Sequence, residues 1–475
     1  MECQPDQFIT GHTLEYRFIQ KAYWKEQIDG AVAENFDFYF NMMGVTSDGP
    51  VAAQEESCYF ESLAEGCNEF EESYNLTSRH ANGFPVQECI DDVEYTCSVI
   101  QMGSGCLALL PVIHEAKDGE ATKTSSMSNM KHPNLARIEA VGLDKSPGFV
   151  ERLQEVAMEA FVATGYAGSN IGCNVNIRVR LGGTFHVTGI HSSRPAVLLP
   201  RSTISPMDCP SLSGLPGGQA ALIDIFIANY ILANPNQQSQ VQRVADSYDD
   251  FAPAYDAGVA AHTTIPATIK GIIQQNDFSG IVFDLACGTG IFGRLVAERQ
   301  PRQNGAGAQT ESRLYGFDIS RQMLNICREH GIYNGLHIQS LEGPLLNSRR
   351  YMGDEAIDHI VCFSALHFLR PELFTFFMAL ALTVARRSVT VSIDEVPESY
   401  NEQLSRLDQP YLHSYNHVDK VKLFAGVPGW TMVRGERVLS WRTVRTVEEI
   451  YTTFFRFERV GNGMGGLFKG AGDPN

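Results

Sequence analysis

An apolar run that ends in a carboxylate and then breaks into small residues constrains this chain more than any other feature: Ile281-Val282-Phe283-Asp284-Leu285-Ala286-Cys287-Gly288-Thr289-Gly290. The run predicts a buried strand. The small residues let the backbone turn tightly and approach a ligand at the N-terminus of the next helix. From there on, short apolar runs at 281–284, 314–318, 359–363 and 388–393 alternate with helical patterns, the signature of a parallel sheet with crossover helices. The second run closes on Asp318, where a carboxylate can accept both hydroxyls of a ribose. Asp318 lies 34 positions after Asp284; the usual gap is about 20, and the polar, Gly-containing segment 300–312 accounts for the excess as a loop insertion. Two closing runs, 431–441 and 450–459, suit antiparallel pairing at the sheet edge. The expected fold is therefore α/β, a mostly parallel sheet with antiparallel pairing at its edge.

A chain of 475 residues exceeds the roughly 100–200 of one domain. The clearest boundary is 194–218, where Pro, Ser and Gly concentrate and helical periodicity breaks. Before it, 84–90, 93–101 and 107–114 look like strands. Ser146-Pro147 starts an amphipathic helix whose apolar face carries Val150, Leu153, Val156, Ala157, Ala160 and Phe161. Runs 174–180 and 184–191 form a hairpin around Gly182-Gly183. The reading gives an α+β domain over 1–200, a linker and helix over 201–236, the α/β domain over 237–460, and a tail over 461–475 expected to be disordered.

With 37 basic and 55 acidic residues the formal charge is -18, which repels phosphate backbones and anionic membrane surfaces. Nucleic acid and membrane are thus disfavoured as partners. Eleven cysteines without a CxxC pair read as reduced thiols of a cytoplasmic protein, and no metal site is expected.

DLACGTG, YGFDISRQML and IDHIVCFSALHFL resemble motif I, the acidic second-strand end and the fourth-strand motif of class I S-adenosylmethionine-dependent methyltransferases. SYDDFAPAYDA at 247–257 is similar to the start of the lid helix in members of the ubiquinone-biosynthesis type. The resemblance covers about 241–460 and implies a Rossmann-like, seven-stranded, mostly parallel sheet with an antiparallel last strand. It implies S-adenosylmethionine as cofactor, with Asp284, Gly288 and Gly290 around its methionine part, Asp318 on the ribose, Met323 near the adenine, and Tyr248 and Tyr255 closing over the site. Many relatives place an Asp after the third strand against the adenine amine. This chain reads HIQSLEGPL there, which leaves Ser340 or Leu341 to serve.

Methyl transfer is one in-line displacement, so the protein supplies orientation and exclusion of water, with a base only where the acceptor carries a removable proton. His367, just beyond the fourth strand, stands where ligands bind in open α/β sheets; it is either the catalytic group and a substrate contact or a structural histidine. Asp394 and Glu395 could hold an amine or face solvent. His413 and His417 either line a substrate mouth or are incidental.

In the first half, FPVQECIDDVEYTCSVIQMGSGCLALLPVIHEA resembles the central part of ATP-grasp ligases of the D-alanine–D-alanine ligase type, and the resemblance continues to about Pro195. It maps nucleotide-holding glutamates onto Glu88 and Glu94. The metal-ligand positions of that family fall on Asn176, Gly189 and His191, so both acidic ligands are missing, whereas magnesium favours hard oxygen donors. The first half therefore reads as a truncated ligase-like domain that has lost catalysis, with packing, homodimerisation or substrate presentation as its role. The leading expectation for the chain is methylation of a small molecule, at nitrogen or oxygen of a peptide-like or other specialised metabolite. The alternatives are a bifunctional ligase and methyltransferase, or a non-catalytic protein that binds S-adenosylmethionine.

Overall fold

The computed structural model describes residues 38–41, 57–60, 86–88, 94–116, 135–140, 147–164, 172–179, 183–191, 212, 214–234, 239–299, 312–353, 355–406, 412–442, 448–460 and 467–469. Two compact units divide the chain. The first takes Met1–Val99, Leu110–Tyr166 and Gly172–Ser211, and the second Ile100–Leu109, Ala167–Ile171 and Leu212–Asn475. Among the described residues no helix is long and apolar enough to cross a membrane.

In the first unit, β1 (Phe38–Asn41) pairs antiparallel with both β2 (Ser57–Phe60) and β3 (Val86–Glu88). The run expected over 93–101 forms β4 (Glu94–Met102), whose last three residues fall in the second unit, and the single strand expected over 107–114 is instead divided between β5 (Gly105–Ala108), which belongs to the second unit, and β6 (Val112–Ala116); β7 (Leu135–Ala140) lies antiparallel to β6. Helix α1 (Pro147–Ala163) begins on its proline and buries Val150, Leu153, Val156, Ala157, Ala160 and Phe161, the apolar stripe that its 3.6-residue period predicts. β8 (Gly172–Val179) and β9 (Phe185–His191) form the hairpin, with a register shift between Asn176 and Ile177.

The second unit holds α2 (Gly218–Ala233), α3 (Ser239–His262) and α4 (Ile265–Gln275) ahead of the sheet. Its strands are β10 (Gly280–Leu285), β11 (Ser312–Asp318), β12 (Gly335–Ile338), β13 (His359–Cys362), β14 (Ser388–Asp394), β15 (Trp430–Arg442) and β16 (Glu449–Arg459). They run in the order β12-β11-β10-β13-β14-β16-β15. The first five are parallel, and β16 is antiparallel to both its neighbours. This is the mixed, parallel-rich sheet expected. β10 is central, with Asp284 between Gly316 and Val361, and β13 and β14 are buried throughout, as strands covered on both faces must be.

Crossovers α5 (Ile291–Arg299), α6 (Arg321–Glu329), the one-turn α7 (Gly343–Leu346) and α8 (Arg349–Met352), and α9 (Pro371–Val384) connect the parallel strands. Ile265, Ile269 and Ile273 of α4 fall on one face and join Phe278, Val282, Phe292, Val296, Leu314, Val361 and Phe454 in one cluster. Each such burial contributes about 2 kcal/mol. One expectation is corrected: within the tail taken to be disordered, Leu467–Lys469 forms β17, antiparallel to Cys106–Ala108 of β5. Backbone pairing to another strand orders a segment whose composition alone gives no reason for order.

Candidate functional site

Where β10 ends, the chain makes three left-handed steps, Ala286 (φ 58°), Gly288 (φ 55°) and Gly290 (φ 86°). Ala286 is one of only two non-glycine residues with positive φ among the described residues; the other is Ser364 (φ 53°), just past β13. Both line one cavity of about 280 Å³ at the carboxyl ends of the strands. Backbone strain of this kind costs about 1–3 kcal/mol per residue and gathers at functional sites.

The loop is held from below. Gly288 N–H donates to Asp318 Oδ2 at 2.9 Å, Ser320 N–H donates to Oδ1 at 2.8 Å, and Cys287 N–H donates to the Phe317 carbonyl at 3.0 Å. Asp318 thus ties the glycine loop to the start of α6 and still lines the cavity. Burial raises its pKa to about 6. Asp284 is buried and does not line the cavity. Its Oδ2 accepts the Tyr333 hydroxyl, whose oxygen accepts Gly293 N–H at 3.2 Å. Burial, with the Asp318 charge adding to it, pushes Asp284 to about 7. A Cβ at Gly293 would stand 2.5 Å from the Tyr333 ring and one at Gly316 3.0 Å. Two glycines on different elements therefore leave the space that Tyr333 fills.

Helix α3 contributes to the cavity wall. Tyr248 and Tyr255 line the cavity with rings 6.3 Å apart, and Tyr248 meets Phe368 edge-on at 5.9 Å. Burial drives both hydroxyls upward in pKa, so they remain protonated. The residue after each tyrosine is a carboxylate that fastens the helix. Asp249 Oδ1 accepts Gln322 N–H in the first turn of α6 and the Oγ–H of Ser320, the N-cap of that helix, and these bonds hold its carboxyl below the usual range. Asp256 accepts Thr289 Oγ–H and pairs with Arg294 at 2.8 Å.

The structure brings Tyr248, Tyr255, Gly288, Asp318, Met323, Ser340 and Leu341 together around the cavity. Asp284 and Gly290 stand outside that wall; Gly290 donates its N–H to the Cys287 carbonyl at 2.9 Å. His367 is buried beside the wall, flanked by lining residues 363–365 and 368–370. Its Nδ1 lies 2.7 Å from Asp394 Oδ2, an approach outside hydrogen-bond angles, and Asp394 is 0% exposed with Thr452 donating to its other oxygen.

Three further candidates have other neighbours. Glu395 is bound by Arg437 and accepts Thr453 Oγ–H. His417 is buried and stacks on Phe374 at 4.2 Å; its Nε2 lies 3.0 Å from the Leu369 carbonyl, which fixes the proton on that nitrogen, and burial lowers its pKa to about 4. His413 packs on Tyr415 at 4.4 Å, and only Tyr415 lines the cavity.

Sequence reasoning missed Tyr333, Ser364 and Arg370. Ser364 lines the cavity with a buried hydroxyl that has no partner among the described residues. No local pattern marks any of the three, although a serine directly after a buried strand is a weak pointer.

In the first unit, Glu94 Oε2 accepts two hydrogen bonds from Arg178, at 2.8 and 3.1 Å, and both residues are 2% exposed. Desolvation raises the Glu94 pKa against the opposing pull of Arg178. Asn176 Oδ1 accepts Thr96 Oγ–H at 2.8 Å and Asn174 Oδ1 accepts Ser98 Oγ–H at 2.7 Å. Asn176 stands opposite Gly189, and Asn174 opposite His191. Glu88 is described as backbone only, within β3.

Residues 282–387 match the family model described as a methyltransferase domain. A curated relative, the ribosomal protein L11 methyltransferase of Caldanaerobacter subterraneus subsp. tengcongensis, is 23% identical over 183 residues, 38% of this chain and 56% of that protein. The chain thus spans about half the length of the curated relative it matches. Similar solved structures include magnesium protoporphyrin IX methyltransferase from Synechocystis PCC 6803 with bound SAH, at 15% identity over 41% of this chain and 81% of that one (TM-score 0.31). An rRNA methylase from Streptococcus thermophilus matches at 15% identity over 42% and 95% (TM-score 0.24). Within the second unit, residues 282–387 carry a methyltransferase domain.

Proposed function

We propose that the second unit transfers a methyl group to a nitrogen or oxygen of a small molecule in the cytoplasm, of the peptide-like or other specialised-metabolite kind. The observation that carries this reading is the cavity itself: the strained glycine loop and Asp318 share one enclosed space with an aromatic wall under α3. Its size and the formal charge of -18 favour a small acceptor over a phosphate backbone.

The residues present fit the cofactor. A Cβ on Gly288 would meet nothing nearer than Tyr255 at 3.8 Å, so the loop backbone is open to a ligand on that side. Asp318 keeps lone pairs for ribose hydroxyls beyond the two N–H groups it accepts. Ile319, Met323 and Leu341 offer an apolar seat for the adenine, with Gln339 and Ser340 at its polar edge. Gly290 and Asp284 act from behind by holding the loop, Asp284 through Tyr333.

The bound cofactor supplies an electrophilic methyl on a sulfonium. Tyr248 and Tyr255 close over the site and exclude water, and the wall aligns the acceptor for in-line attack. Where the acceptor carries a removable proton, His367 takes it. Asp394, 2.7 Å from Nδ1, offsets the charge the imidazole gains, and His367 Nε2 has no hydrogen-bond partner among the described residues. No ligase step is assigned to the first unit, since the Glu94 and Asn176 side chains already have partners inside it.

Calorimetric titration of the full chain with S-adenosylmethionine, beside Asp318→Ala, tests the first step. Comparison of metabolites from cells with and without the gene, for a mass difference of one methylene, tests the second. Absence of cofactor binding, or equal binding by the variant, overturns the reading.

A further inference from the structure

The cavity wall is chemically divided, and the strand order says how. Residues 286–288, 318–323 and 339–342 follow β10, β11 and β12 on one side of the sheet, whereas 363–373 follow β13 on the other. Both carboxylates of the wall, Asp318 and Glu342, belong to the first group. There Asp318 serves the glycine loop and Glu342 accepts Ser340 Oγ–H at 2.7 Å.

Beyond β13 the wall consists of Phe368 against Tyr248, Leu369, Leu373 and Tyr415, with Arg370 set among them and no carboxylate among the described residues. Arg370 is exposed, and its guanidinium has no acceptor among the described residues. Arg243 lines the same cavity. A cation in an aromatic wall is a local exception in a chain whose charge of -18 repels anions at long range. An arginine fork matches a carboxylate in shape and charge, and charge-assisted bonds of this kind are stronger than neutral ones.

Resting on the methyl-transfer reading, the geometry points to an acceptor that carries a carboxylate, anchored by Arg370 with its apolar body on Tyr248, Phe368 and Leu373. The unpartnered Ser364 hydroxyl then lies on the same strand-end segment, where it can take a hydrogen bond from the reacting nitrogen or oxygen.

The test is an NMR titration of the full chain saturated with S-adenosylhomocysteine, using three probes of one shape: 4-phenylbutanoate, 4-phenylbutanol and 4-phenylbutylamine. The carboxylate is expected to bind about tenfold more tightly than the other two. Arg370→Gln removes that preference and leaves S-adenosylhomocysteine affinity unchanged, and Arg370→Lys restores part of it. Equal affinity for all three probes, failure of all three to bind, or a preference that survives Arg370→Gln overturns the inference. If S-adenosylhomocysteine itself fails to bind, the methyltransferase reading falls, and the same series run without it still decides whether Arg370 selects carboxylates.

Discussion

Glu94 and Asp318 are both buried carboxylates on β-strands, yet they stand in opposite chemical situations. Glu94 faces Arg178, and the nearby Asn174 and Asn176 face Ser98 and Thr96, so these polar side chains of the first unit satisfy one another. Asp318 meets only backbone N–H groups, from Gly288 and Ser320, and keeps a side in the cavity. A polar group closed by side-chain partners stabilises one packing arrangement. One held by backbone donors is oriented and still has capacity for a ligand.

The largest test of this contrast is Glu94→Ala, which takes from the buried Arg178 the carboxylate that balances its charge. It is expected to cost about 3–5 kcal/mol, read as a lowered denaturant midpoint, and Glu94→Leu with Arg178→Leu should recover most of it. If instead the single variant keeps its stability and loses ATP binding, the comparison breaks and Glu94 is a ligand group. Asp318→Ala comes next: loss of a charged acceptor should weaken S-adenosylmethionine binding by about 1.5–3 kcal/mol, roughly 10- to 150-fold in Kd by calorimetry, with little change in fold. Tyr333→Phe removes the hydroxyl between Asp284 and Gly293 and is expected to cost about 1–3 kcal/mol of stability, visible in thermal unfolding. Asp249→Ala removes the acceptor of Gln322 N–H and of the Ser320 hydroxyl, leaves Ser320 as the N-cap of α6, and should cost about 1 kcal/mol, together with faster hydrogen exchange in α3.

The smallest effect concerns pH. Asp318, raised to about 6 by burial, binds a proton more readily folded than unfolded. Its contribution to stability is full below the unfolded value of about 3.9 and is lost as pH rises through 6. Cofactor affinity runs the other way, falling as pH drops below about 6 because a protonated carboxyl accepts ribose hydroxyls less well. Unfolding measured from pH 4 to 7 and binding measured from pH 5 to 8 should show the two trends reduced in Asp318→Asn; unchanged profiles assign the titration elsewhere.

Much of the second unit was legible in the sequence because its signals are local. The apolar run 281–285, the small residues after it and the acid closing 314–318 each express a strand, a turn and a strand end within a few residues. Strand pairing then places Asp318 beside the glycine loop. The disordered-tail expectation failed over Leu467–Lys469 because pairing to β5 is not a property of those residues alone.

By itself, then, the sequence determined the alternation of strands and helices, the acidic strand ends and the aromatic lid, since hydrophobic period, glycine freedom and side-chain chemistry act over one or two turns of chain. Only the tertiary structure decided that Tyr333 reaches Asp284, that His367 meets Asp394, that Asp249 and Asp256 fasten the lid, and that Glu94 belongs to Arg178. These partners lie 27 to 84 positions apart. A buried polar group takes whichever donor or acceptor the packing brings within 3 Å, and no local pattern records which one that is.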